Sequence, residues 1–540
     1  MKRHFWVSIT FLLTIIFAQE GARYLIITTD ALAPVIQPLA EWKHFSGLKC
    51  KVTKLSEIGS DTASIKNYIR NAYNNWPIRP EYVLLVGSPN NLPARRHTIQ
   101  GQGTFYSDNI YGDINSDIYM DIPVGRFPAK SARQCSVMVA KTLAYERYPD
   151  LTDTLWTRRL TTVIRESDYQ PDPDDTIYWN DARIAASNFP LCDSLSWLRG
   201  HNVTNVINSV NNGTGMVLYR GTGVGNWYEP FAVNPALTNN GKKLPIILSI
   251  TCATMTLAPN DSMVGDAWIK TGTPTSLKGA VAFFGNTHSL YSSTTTVRKR
   301  SAVTRNFFKA VFQEGKTKLG WAMIRGKDSL YRAFGDAADY RGFNLLGDPS
   351  LDIWTDTPRP PEVTHPAEIT PGEQELAVSV YLDSTSFPNA LVCISMDTTI
   401  YQYNYTDSNG LVVFHINPPD TGRLRLVVTG HNLYPYDTLI PITLSAVAEN
   451  PTSPAKAKIL ALPKTFNRYT RIFWEPAVNA DLTIFDATGR TVRKFHLTAS
   501  GIVWDGTDNN HQECPAGVYC AYLNIPDKSL RFTVNLLKLK

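Results

Sequence analysis

Cysteine is scarce in this chain, with seven in 540 residues. They are Cys50, Cys135, Cys192, Cys252, Cys393, Cys514 and Cys520, and no two form a Cys-x-x-Cys pair. That spacing speaks against a structural zinc site, and an odd count leaves at least one thiol outside any intramolecular disulfide. Cys514 and Cys520 are close enough in sequence to pair, although a strand through 520 would carry it away from the turn. A block of one charge sign is also missing. There are 53 basic and 47 acidic residues, a net charge of +6 and no long basic run, a poor footprint for nucleic acid or an anionic membrane. After the amino terminus no apolar run is long enough to cross a bilayer. The rest is ordinary globular composition, 43% hydrophobic and 19% charged.

What is present begins with an export signal. Lys2, Arg3 and His4 precede an apolar stretch from Phe5 to Ala18, and Ala18, Gly21 and Ala22 offer small residues for cleavage. Residues 1–22 are therefore expected to be a signal peptide, and the mature chain to be exported without a transmembrane segment. The length implies roughly two to four domains.

Residues 24–29, 50–55 and 82–87 read as buried strands, with helices expected over 35–46 and 64–76 between them. This order predicts a parallel sheet with helices on its faces. A helix is expected over 131–147, a strand over 156–164 and a helix over 303–314. Apolar runs at 215–219, 244–251 and 279–285 predict further buried strands. A Pro-rich stretch at 355–366 marks a linker. Alternating short strands then predict an Ig-like sandwich over 367–447. A second linker at 449–458 precedes another all-β module over 463–540. The α/β part spans 23–355, so the fold class is α/β with two α/β subdomains, followed by two small all-β modules.

Cys252 is the candidate nucleophile. It follows the apolar run 244–251, and loops at the carboxyl ends of parallel strands are where such sheets place chemistry. The run 215–219 opens into Arg220-Gly221-Thr222-Gly223-Val224-Gly225-Asn226-Trp227, whose glycines let the backbone approach a substrate. The N–H groups of Gly223 and Cys252 could stabilise an oxyanion if the two loops face each other. The competing reading of a single Cys after a strand is a core residue.

The segments YVLLVG at 82–87, SDNIYGDINSDIYMDIPVGRFPA at 107–129, YRGTG…W at 219–227, SITC at 249–252 and NLLGDPSL at 344–351 together resemble the gingipain family of secreted cysteine peptidases, peptidase family C25, which has a caspase-like fold. The run Val428-Thr429-Gly430-His431-Asn432-Leu433-Tyr434-Pro435-Tyr436 resembles the Ig-like domain that follows the family's catalytic domain. Asp486-x-x-Gly489-Arg490, Trp504-x-Gly506 and Pro515-x-Gly517-x-Tyr519 resemble small FlgD-like or type IX sorting-like modules. The resemblance implies endoproteolysis of a protein or peptide substrate through a Cys252 thioester, with Gly223 as an oxyanion donor and no required cofactor. It also implies a bacterial secretion or attachment machinery as partner of the C-terminal module. The family's catalytic His belongs in a Gly-His-Gly triplet, and here Thr222 takes that place. The family's zymogens carry a long propeptide, for which an expected first strand at Tyr24 leaves no room. Activity is therefore expected to be weak, altered or lost. The alternatives are an inactive surface binding or adhesion protein, or a hydrolase of another acyl substrate.

His288, on the loop after 279–285, is the candidate substitute base, and His97 is a second; for both the competing reading is a solvated loop histidine. Asp113, Asn115 and Asp117 alternate as calcium ligands do, with Asp121 beyond. Ile118 and Val124 stand where an EF-hand needs Gly and Glu, leaving a non-EF calcium site or a solvated acidic loop. Asp108 and Arg126 either line the cleft or brace it.

Overall fold

The computed structural model describes residues 21–100, 103–170, 172–289, 294–397, 399–444, 458–475, 480–497, 501–525 and 530–540. The expected signal peptide up to residue 20 and the second linker up to residue 457 lie outside the described residues. The chain divides into two compact units, Met1–Leu444 and Ser445–Lys540.

In the first unit a 10-stranded sheet carries the architecture. Its strands are β1 (Tyr24–Thr28), β2 (Cys50–Lys54), β3 (Tyr82–Val86), β4 (Val124–Phe127), β5 (Arg159–Ile164), β6 (Leu191–Ser196), β7 (Met216–Arg220), β8 (Ile246–Ala253), β9 (Ala282–Asn286) and β10 (Phe343–Leu346). Their spatial order is β2-β1-β3-β4-β10-β9-β8-β7-β5-β6. Strands β1 to β4 are mutually parallel, and so are β5 to β9. β10 is antiparallel to β9 and parallel to β4, so the two halves run in opposite directions. Apolar runs report burial but not strand direction, which is why this reversal leaves no mark in the sequence.

Every residue of β1, β3, β4, β7, β8, β9 and β10 is buried. Such strands read as continuous apolar runs because helices cover both faces. Leu25, Ile27, Val83 and Leu85 pack into one core, and Tyr24, Ile26, Tyr82 and Leu84 into the other, the alternation a strand imposes. The helices of six residues or more, among the described residues, are α1 (Ala33–Phe45), α2 (Thr62–Asn75), α3 (Ala132–Glu146), α4 (Pro173–Ala186), α5 (Val203–Asn212), α6 (Val264–Lys270), α7 (Thr294–Phe312), α8 (Leu319–Phe334) and α9 (Ala337–Gly342). Asp61 starts α2 by accepting the N–H groups of Ala63 and Ser64. α7 begins nine residues before the expected 303, because Thr294–Ala302 is too polar for apolar spacing to reveal a helix.

Two four-stranded sheets form a sandwich between Glu362 and Ile442 around Val378, Val392, Ile394, Leu424 and Leu426. The stretch 355–366 is not wholly a linker. Glu362–Thr364 adds an edge strand on Gln374–Leu382, the place in a sheet that tolerates nearby proline. The sandwich docks on the α/β part through Tyr401 Oη donating to His44 O (2.9 Å), an Arg147–Asp437 ion pair (2.7 Å) and a His431 Nδ1–Asp352 contact (2.9 Å).

The second unit has a three-stranded and a five-stranded sheet around Trp474, Trp504, Leu482 and Leu523. Its first strand, Lys458–Leu462, precedes the expected start at 463.

The seam between the two halves of the large sheet is held by close backbone approach. A Cβ on Gly125 would meet Gly347 O at 2.2 Å. Beside it Arg126, fully buried, grips Asp108 with two bonds of 2.7 Å and donates to Gly87 O and Leu92 O. This pair is a brace. Arg126→Met strands the buried Asp108 carboxylate, and such losses cost about 3–5 kcal/mol. Chemical denaturation should show that drop, and a loss below ~1 kcal/mol would mean that the seam does not need the pair.

Candidate active site

Cys252 sits at the carboxyl end of β8, inside a bulge. On the β7 side the register runs to Ile250 opposite Arg220. On the β9 side it jumps from Ser249–Gly285 to Ala253–Asn286, so that Ile250, Thr251 and Cys252 bulge out of the register with that strand. A bulge of this kind re-aims a side chain. Thr251 Oγ1 donates to Gly221 O (2.7 Å), Gly225 N–H to Ala253 O (2.7 Å) and Arg220 Nη1 to Ile250 O (2.5 Å). The loop bearing Thr222 and Gly223 is thereby fastened beside the Cys252 bulge.

That loop is itself clamped. Tyr219 stacks flat on Trp227 at 4.6 Å, and its hydroxyl donates to Thr222 O (2.5 Å). Trp227 Nε1 donates to Ser249 Oγ (2.9 Å). Gly221 has φ +151°, and a Cβ there would lie 2.6 Å from Arg165 Cβ, so only glycine fits this approach.

The Cys252 residue is 6% exposed. Its Sγ accepts from Arg300 Nη1 at 3.1 Å. Arg300, on α7, turns its other edge to Asp339 on α9, with Nε and Nη2 at 3.1 and 3.0 Å from the carboxylate. Asp339 also accepts from Asn286 Nδ2 (2.8 Å). Burial works against the Arg300 charge, but Asp339 and Cys252 beside it outweigh burial and hold the guanidinium above its ordinary pKa. A second buried pair stands close by. Arg220 Nε donates to Asp181 (2.9 Å), which also accepts from Ser301 and Arg305 of α7.

His288 is 1% exposed, and among the described residues neither ring nitrogen has a hydrogen-bond partner. Its backbone N–H donates to Asn286 Oδ1 (2.8 Å), and its ring packs on Phe105 at 4.5 Å. Burial, opposed by Asp339 and aided by Arg300, holds its pKa below the ordinary value. His97 stacks on Phe105 at 5.2 Å. Burial, with Arg341 and Arg95 nearby, pushes it down to about 4. His288 is therefore buried rather than solvated, and Phe105 carries both histidines. A cavity of about 870 Å³ opens there, lined by His97, Phe105, Ser289, Lys299, Asp336 and Arg341 among others. Arg300 and Asp339 are each one residue from its lining residues Lys299 and Ala338.

The acidic loop turns its carboxylates onto its own backbone. Asp121 accepts from the N–H of Ile114 (2.9 Å) and from Asn115 Nδ2 (2.8 Å). Asp113 accepts from the N–H of Asp117 and Ile118, and Asp117 from that of Tyr119. Among the described residues no three His, Cys, Asp or Glu side chains gather as a metal site. For the expected calcium ligands Asp113, Asn115, Asp117 and Asp121, the visible role is to fold the loop.

The model of peptidase family C25 matches residues 17–354, more than half of the chain. The chain belongs to peptidase family C25. Gingipain R2 of Porphyromonas gingivalis is 23% identical over 498 residues, covering 88% of this chain and 64% of that protein. Lys-gingipain of the same organism is 20% identical, covering 76% of this chain and 25% of that protein. The chain thus spans less than two thirds of these relatives' length. The crystal structure of the Arg-specific cysteine proteinase gingipain R superposes with a TM-score of 0.69 at 20% identity, covering 78% of this chain and 98% of that one. This establishes the fold, a C25 catalytic domain with its two α/β halves.

Reading the sequence missed Arg300, Asp339, Arg220 and Asp181. Arg300 lies 48 residues beyond Cys252, on the polar first turns of α7, and nothing in the spacing links the two. None of the seven cysteines, all described, is in a disulfide.

The two histidines on Phe105 make a pH prediction for this C25 fold. Each is held neutral in the folded state, whereas the unfolded chain takes up protons near pH 6.5. The unfolded state therefore binds more protons below that value, and stability falls as pH drops from about 6.5 towards the folded value of about 4 for His97. The doubly substituted His97→Gln, His288→Gln chain should lose less stability over that range in denaturation series. An unchanged slope would place the proton uptake elsewhere.

Proposed function

We propose that this chain is an exported family C25 protein whose acyl-transfer chemistry runs through Cys252, with endopeptidase activity that is weak because Thr222 replaces the imidazole. The observation that carries this reading is the bulged end of β8, which sets Cys252 against the loop holding Gly223. In the proposed reaction the sulfur attacks a carbonyl carbon of a protein or peptide. The oxyanion is met by the N–H groups of Gly223 and Cys252, and a thioester forms. A threonine hydroxyl neither takes a proton near neutral pH nor returns one to the leaving amine. The C-terminal unit, by its resemblance to sorting modules, is assigned to secretion or surface attachment. Among the described residues no helix is long and apolar enough to cross a membrane.

A second reading is a surface binding protein that retains the fold without turnover. Thr222 and the 6% exposure of Cys252 favour it.

Labelling with an active-site-directed electrophile, read by peptide mass spectrometry, separates the two. Modification confined to Cys252 supports the acyl-transfer reading, and an inert Cys252 in the folded chain supports the second. General acid–base help is worth roughly 10²–10⁴-fold, so Thr222→His should raise peptidase activity by up to about that factor. Strong wild-type cleavage that survives both His288→Ala and His97→Ala would overturn the assignment of the machinery.

A further inference from the structure

We infer that Arg300, fixed by Asp339, takes over from the missing imidazole the task of holding the Cys252 sulfur as a thiolate, and that the site therefore acts on thioesters and activated esters rather than on amides. The inference rests on the acyl-transfer reading of Cys252 and names its substrate class.

The geometry separates two tasks that an imidazole performs together. The first is to provide a positive neighbour for the sulfur. Arg300 Nη1 does this at 3.1 Å inside the protein, and a cation beside a cysteine favours its thiolate. Asp339 holds the opposite edge of the guanidinium through Nε and Nη2. The sulfur thus meets the cation first and the carboxylate only beyond it. Asn286 fixes Asp339 in turn, and Asn286 belongs to β9, next to the Cys252 bulge. The guanidinium cannot rotate away without leaving the buried Asp339 carboxylate without this counter-charge, which is costly.

The second task is proton transfer, and a guanidinium does not perform it, because it stays protonated at any pH the fold meets. The consequence falls on the leaving group. When the thiolate attacks a thioester, a carbon–sulfur bond forms and the carbonyl becomes an oxyanion. The oxyanion collapses and expels the departing thiolate with its bonding pair, so no proton is needed. Water then attacks the acyl-enzyme and its proton passes to solvent. Cys252 leaves as a thiolate beside Arg300, restoring the starting state. An amide follows the same path up to collapse. There the amine must depart with a proton, and neither Arg300 nor Thr222 delivers one. Arg300 acts on the reacting sulfur directly, and not on the substrate.

The test uses the full chain and two substrates with the same acyl group, an N-acyl amino acid thiobenzyl ester and its anilide. The wild type should hydrolyse the thioester in a Cys252-dependent way and the anilide at least ~100-fold more slowly, after correction for their uncatalysed rates. Arg300→Gln should cut Cys252 alkylation by iodoacetamide at neutral pH at least about tenfold and remove the thiolate ultraviolet band. Arg300→Lys, which keeps the charge, should restore much of both. The wild-type substrate ratio requires no variant to fold. Equal turnover of ester and anilide, or Arg300→Gln alkylating like wild type, would overturn this inference and leave acyl transfer at Cys252 standing. No labelling of Cys252 and no turnover of either substrate would overturn both. Anilide hydrolysis abolished by His288→Ala would overturn it in favour of a relocated base.

Discussion

Arginine almost completely out of water is the constraint on which this structure turns. Arg126, Arg220 and Arg300 are 0%, 1% and 4% exposed, and each is locked to a buried carboxylate, Asp108, Asp181 and Asp339. A guanidinium in that setting is tolerated only when paired and fully hydrogen-bonded. Each pair ties together separate segments of the chain. Arg126 braces the seam where the sheet reverses direction. Arg220 joins the end of β7 to α4 and, through Asp181, to α7. Arg300 joins α7 to α9 and touches the Cys252 sulfur. Two of the three pairs reach the strand end that carries the sulfur, Arg220 through Ile250 O and Arg300 through Sγ itself.

The strands were largely legible because burial on both faces writes continuous apolar runs. Leu244–Thr251 and Gly279–Gly285 needed little else. Helices on the polar flank were harder. α7 carries Arg298, Lys299 and Arg300 in its first half, and its apolar spacing begins only at Val303. The edge strand Glu362–Thr364 hid in a Pro-rich stretch for a similar reason, since three residues carry no period. At the site, Cys252 and the Gly221–Gly223 loop could be named from local pattern. The Arg300–Asp339 contact could not, because it depends on α7 and α9 folding back over the end of β9.

On the proposed reading, Thr222 in the place of an imidazole has a chemical meaning beyond loss. A cysteine–histidine dyad combines a counter-charge for sulfur with a source of protons. Here the group in contact with the Cys252 sulfur is a guanidinium, which keeps its proton, and the only imidazole beside the cluster, among the described residues, is His288, held neutral by burial. On the proposed reading, the family fold keeps its cysteine, its glycine loop and its bulged strand while the reaction moves towards acyl groups that leave unaided.

The most direct measurement is a crystal structure of the protein after reaction with a peptidyl acyloxymethyl ketone. The expected result is a covalent bond at Cys252 Sγ, the inhibitor's carbonyl oxygen against the N–H groups of Gly223 and Cys252, and Arg300 still paired with Asp339 beside the sulfur. An adduct on another cysteine, or an Arg300 side chain turned away from the Cys252 sulfur, would contradict it.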